Sequence, residues 1–76
     1  MVNQKSLDCV QTLIRAFDDD QGVSENIFIA TKELVLIHFG KKSEEIFSNG
    51  VDAIDGKYYS HIGHDLWSDV VAAKEK

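Results

Sequence analysis

"IFIATKELVLIHFG", residues 27–40, decides how this chain folds. Read as one helix, it carries apolar side chains in almost every direction. Read as strands, Ile27 to Ala30 pairs with Leu34 to Phe39 in a hairpin. The hairpin has to turn through Ala30, Thr31, Lys32 and Glu33, which include none of the Gly, Asn or Pro that tight turns favour. The flanks favour the helix: Ser24 is placed to cap it and Val23 to staple onto Phe28. Gly40 can end it, and Lys41 and Lys42 sit where cations suit a helix C-terminus. The expectation is a helix over 24–39, with a hairpin at 27–39 in an α+β fold as the alternative.

At about 100° per residue, Ile27, Ala30, Leu34 and Ile37 form one stripe, the expected core face. Ile29 and Leu36 project from nearly the opposite side, and Phe28 and Val35 make a third stripe. A helix apolar all round needs cover all round, and three other short helices supply two sides of it. The side carrying Ile29 and Leu36, with Phe28, Val35 and Lys32 around it, is therefore the expected interface. Its first candidate partner is a second copy, because twofold dimers dominate soluble oligomers. The competing reading wraps this helix entirely within its own chain.

Outward from this segment the same rules give three more helices. Leu7, Val10, Ile14 and Phe17 recur three and four apart, with Leu13 beside them, and Ser6 is placed as N-cap for a helix near 6–18. Ser43 is the expected cap of a helix near 43–54, with Glu44 and Glu45 in its first turn and Ile46, Phe47, Val51 and Ile54 as its stripe. Asn49 and Gly50 weaken its middle, by about 1 kcal/mol against alanine for the glycine, so it bends or splits there. Asp55 and Gly56 make a turn, and "KYYSHIG", residues 57–63, is a loop or a short extended piece. His64 or Asp65 then opens a helix near 64–75, pairing Leu66 with Val70 and Trp67 with Val71. The expected fold is a single small all-α domain over residues 1–76, four helices, and dimeric.

Size sets the need for a partner. A chain of 76 residues buries only about 60 to 65% of its unfolded surface, so its core is marginal. Cys9 is the single cysteine, which rules out an internal disulfide. With no leader-like stretch in "MVNQKSLDC", a reducing, cytoplasmic setting is expected, with Cys9 a buried, inert thiol near the apolar face of the first helix. No apolar run is long enough to cross a bilayer. Eight basic against thirteen acidic residues give a net charge of -5, which repels phosphate backbones and anionic lipid alike, so neither nucleic acid nor membrane is an expected partner.

Four constellations are candidates for function. "DDDQG", residues 18–22, fails as a calcium loop because Phe17 stands where the first ligand belongs. Asp18, Asp19 and Asp20 follow the first helix at its negative end, and with Glu25 they form an acidic patch suited to a basic protein partner. "HIGHD", residues 61–65, sets His61, His64 and Asp65 close enough to suggest a small metal site, though Gly63 argues against a regular helix there. Residues 43–55 in a helix-turn-helix reading hold four carboxylates and no Lys or Arg, so they do not read DNA. No spacing orders Cys9 or a serine with a histidine for catalysis, so no enzyme activity and no cofactor are expected. The leading expectation is a small acidic homodimeric regulator or adaptor that binds another protein. A monomeric acidic inhibitor covering a basic site comes second, and a metal-binding domain third.

Overall fold

The computed structural model describes residues 4–61 and 65–74. The elements run α1 (Gln4–Ala16), α2 (Glu25–Phe39), α3 (Lys41–Asn49), β1 (Val51–Ile54), β2 (Lys57–Ser60) and α4 (Leu66–Ala72). Four helices form, as expected, but a two-stranded antiparallel hairpin replaces the second half of the expected third helix.

The segment expected at 24–39 forms the helix Glu25–Phe39, with the hairpin alternative at 27–39 excluded. Ser24 caps it, accepting from the Ile27 amide at 3.4 Å. Gly40 closes it, donating its N–H to the Leu36 carbonyl at 3.0 Å. Gly40 is also the N-cap of α3, so the two helices meet with no linker, and Ser43 falls inside the first turn of α3 rather than at its cap. Ser43 is fully buried there, and its hydroxyl donates to the Val70 carbonyl at 2.8 Å, tying α3 to α4. Ser6 likewise lies within α1, which has already begun at Gln4.

The core face of α2 differs from the expected stripe. Thr31, Val35 and Phe39 are the buried residues, with Phe28 and Leu34 packed partly against the core. Ile27 and Ile37, assigned inward by the stripe, are 38% and 72% exposed. Thr31 can be buried because its hydroxyl donates to the Ile27 carbonyl one turn back at 2.7 Å, which satisfies it without an outside partner. The aromatic residues then decide the rotation. Phe17 and Phe47 meet edge to face at 5.3 Å, Phe28 stacks on Phe47 at 5.7 Å, and Tyr58 stacks on Phe28 at 4.4 Å. Such ring pairs add to the burial they accompany, and this column can form only if the Phe28 side of α2 turns inward.

The third helix stops at Asn49. Beyond Gly50 the chain pairs Val51 with Ser60 and Ile54 with Lys57, around a two-residue turn of Asp55 (φ 51°) and Gly56 (φ 80°). Two successive positive φ angles are the signature of the turn that matches strand twist, and Asp-Gly is a favoured pair for it. Ile46 and Ile54, placed on the helical stripe, are 37% and 54% exposed, whereas Phe47 is fully buried. Val10, Ile14 and Phe17 of the first stripe are buried, as are Leu66 and Val70. Cys9 is exposed, which corrects the expectation of a buried thiol: it lies on the flank of α1 beside Val10 and not beneath it.

Candidate functional site

Two surface features gather the residues singled out by sequence. The first is a cleft of about 390 Å³ lined by Phe17, Asp18, Asp19, Asp20, Asp52, Ile54, Tyr59 and Ser60. Its acidic rim is built by the segment after α1, where Asp18 and Asp19 continue the last turn by donating to the Arg15 and Ala16 carbonyls. Asp19 then accepts from the Gln21 amide at 2.8 Å, which bends the chain back. Gly22 (φ 67°) completes the bend where no side chain would fit, since a Cβ there would lie 2.7 Å from the Tyr59 ring. The bend is fastened to the hairpin because the Ser60 amide donates to the Phe17 carbonyl at 2.9 Å and the Ser60 hydroxyl donates to the Asp18 carboxylate.

Asp18, Asp19 and Asp20 thus come together as expected, but Glu25 does not join them. It accepts from the Tyr58 hydroxyl at 3.4 Å on the first turn of α2. Burial, and then the Glu25 carboxylate beside it, hold the Tyr58 phenol above its ordinary value. The fourth carboxylate of the cleft is Asp52 on β1, which sequence reading missed. Its Oδ1 lies 2.9 Å from His61 Nε2. The signal lay in Asp55-Gly56, read as a turn but not as one joining two strands: in a hairpin about it, Asp52 and Tyr59 face each other in register.

The second feature is a groove of about 250 Å³ between α2 and α3, lined by Phe28, Ile29, Lys32, Glu33, Leu36 and Glu44. Four of the five expected interface residues lie on it. Val35 does not: it is 0% exposed in the chain's own core, because the face it shares with Phe28 is the one turned inward. Phe28 serves both sides, packing against the core while one part of it reaches the groove. Ile29 and Leu36 are 47% and 42% exposed.

The candidate metal residues are not drawn together where they are described. His61 faces Asp52, and Asp65 caps α4, its carboxylate accepting from the Ser68 amide at 3.2 Å and from the Ser68 hydroxyl at 2.9 Å. His64 lies outside the described residues, and among the described residues no group of three His, Cys, Asp or Glu side chains could hold a metal ion. No described helix is long and apolar enough to cross a membrane.

The Asp65 cap gives a pH prediction. The Ser68 amide, and then its hydroxyl, hold the Asp65 carboxyl below its ordinary 3.8. A depressed folded value means the native state favours the ionised form, so the contribution is present above the unfolded value and is lost as pH falls through the folded one. The thermal midpoint of the wild type should exceed that of Asp65→Ala at neutral pH, and the gap should narrow below about pH 4. A gap that stays constant or widens on acidification contradicts a charged cap.

Comparison with known protein families, with curated proteins and with solved structures finds no match to this chain. The functional reading therefore stands on these two surfaces.

Proposed function

We propose that this chain is a small acidic protein-interaction module that self-associates through the outer face of α2 and acts as a regulator or adaptor by binding another protein. One observation carries the reading. On a single helix whose inner face is already filled, Ile29, Leu36 and Ile37 remain 47%, 42% and 72% exposed, a concentration of large aliphatic side chains that solvated helices avoid. The occupant argued for is a second copy, from the charges beside the seam. Lys32 and Glu33 lie about 50° to either side of the line through Ile29 and Leu36 at helical spacing. In a parallel twofold pair each Lys32 faces the partner's Glu33, which makes the seam self-complementary. An antiparallel pair sets lysine against lysine and glutamate against glutamate instead.

A single 15-residue helix offers a small patch, so the dimer should be of about micromolar affinity rather than obligate. Light scattering over a concentration series tests this. The expected mass rises from 8.5 kDa toward about twice that value across the micromolar range. A constant monomer mass at high concentration removes the dimer reading.

A second reading is favoured by a separate observation, the gathering of Asp18, Asp19, Asp20 and Asp52 around one cleft with Phe17, Ile54 and Tyr59 in its lining. Here the chain is a monomeric acidic inhibitor that covers a basic site on another protein. The net charge of -5 supports fast encounter with such a site and disfavours nucleic acid and anionic membrane. We take the setting to be cytoplasmic on the same grounds as before, a single cysteine and no internal disulfide.

A further inference from the structure

The hairpin carries a feature that the acidic cleft alone does not explain, an open edge. In an antiparallel ladder, residues directly opposite each other point their backbone groups the same way, both toward the partner strand or both away from it. Tyr58 exchanges both of its backbone bonds with Val23, at 2.9 and 3.0 Å, and the Ser60 amide donates to Phe17. Both residues therefore point away from β1, so their opposite numbers Ala53 and Val51 point away from β2. On the β2 side this outward edge is covered by Val23 and Phe17. On the β1 side no described strand or bridge pairs with it, and Asp52, Ala53 and Ile54 are exposed.

We propose that the edge of β1 is a docking site for an extended basic segment of a partner protein, which adds to the hairpin as a third strand. The inference deepens the acidic-surface reading and rests on it for the charge of the partner. Side-chain alternation supports that charge. Asp52, Ile54 and Tyr59 line the cleft together, whereas Val51 and Tyr58 pack on the core from the opposite face. A strand paired to β1 lies about 4.8 Å from it and sets every second side chain over the cleft face. Long basic side chains there rest their stems on Ile54 and carry their charge toward Asp52, while the Asp18 to Asp20 bend, on the far side of β2, contributes only its longer-range field. A second copy is the poorer occupant. Two β1 edges paired with each other collect Asp52 and Asp55 of both chains on one short ladder, the like-charge pattern by which exposed edges resist self-pairing.

The probe is a capped heptapeptide of alternating lysine and valine, titrated into the full chain by calorimetry and followed by backbone amide NMR. Two controls accompany it: the same peptide N-methylated at alternate residues, which keeps charge and removes main-chain donors, and a version with glutamate for lysine. Binding is expected to slow amide exchange at Val51 and Ala53 and to weaken about tenfold or more on N-methylation, the effect of losing one or two backbone bonds. Ala53→Pro, which deletes an outward N–H that the hairpin does not use, should weaken binding by a similar factor with the hairpin resonances kept. Asp52→Asn should flatten its salt dependence. If the methylated peptide binds as well as the parent and binding depends on salt and on Asp18 and Asp20, strand addition is overturned and the acidic-surface reading stands. If neither lysine peptide binds, both are overturned. Equal binding of the glutamate peptide overturns the basic occupant.

Discussion

Phe47→Ala should lower the stability of this protein by about 3 to 5 kcal/mol, the range found when a buried aromatic ring is cut back to a methyl group. A domain of this size holds about 4 to 11 kcal/mol in total, so the loss removes at least about a quarter of it and, at the lower end, all of it. Phe47 is fully buried on a helix of only nine residues. It joins the Phe17 ring of the α1 end to the Phe28 ring of α2, and Phe28 in turn stacks on Tyr58 of the hairpin. Removing it opens a void at the junction of three elements, and a small core has few other contacts through which to redistribute the loss. Ile46→Ala, one residue away but 37% exposed, is the internal control and should cost under about 1.5 kcal/mol. Urea titrations of both variants, followed by circular dichroism, measure the difference. Comparable small losses at the two positions contradict the inward placement of Phe47.

The same column of rings explains why some of the fold was legible in the sequence and some was not. Local signals were reliable where a single residue type has one physical use: Ser24 and Gly40 bound α2, Asp65 caps α4, and the spacing of Val10, Ile14 and Phe17 marks the buried side of α1. The rotation of α2 could not be read locally. With Ile27, Ile29, Leu34, Leu36 and Ile37 spread round the helix, every stripe looked like a core stripe. The choice was made by long-range partners, the rings of Phe17, Phe47 and Tyr58, and by a threonine able to satisfy its own hydroxyl. The hairpin was missed for a different reason. Val51 and Ile54 also fit a helical spacing with Phe47, and the positive φ angles that Asp55 and Gly56 adopt outweighed it. That one misreading hid Asp52, so half of the acidic site was visible as a run of three aspartates while its opposite wall was not. On α2 the exposure of Ile29 and Leu36 agrees with their reading as surface residues, whereas Val35, read with them, belongs to the core.

Leu36→Glu should abolish self-association while leaving the fold intact. The residue is 42% exposed, so in the isolated chain a carboxylate there can reach water and the loss should stay under about 1.5 kcal/mol. Across a twofold seam the change counts twice. Each copy brings one new carboxylate to the same patch, and with parallel helices the two meet each other where two leucines met, so desolvation and like-charge repulsion act together. A dimer held at about micromolar affinity should then be monomeric at any practical concentration, with an unchanged far-ultraviolet spectrum. Loss of helicity together with loss of dimer would instead make Leu36 a folding residue and remove the case for this interface. In the proposed dimer the flanking charges would set the orientation. Lys32→Glu alone should weaken the dimer, because it sets two glutamates of opposite copies side by side. Adding Glu33→Lys to it exchanges the two signs and restores every cross-seam pair of a parallel dimer. In an antiparallel dimer the single change merely replaces a lysine pair with a glutamate pair and the exchange restores nothing. Rescue by the double variant, measured as the concentration at which the mass doubles, is therefore the result that identifies the outer face of α2 as a parallel, self-complementary seam.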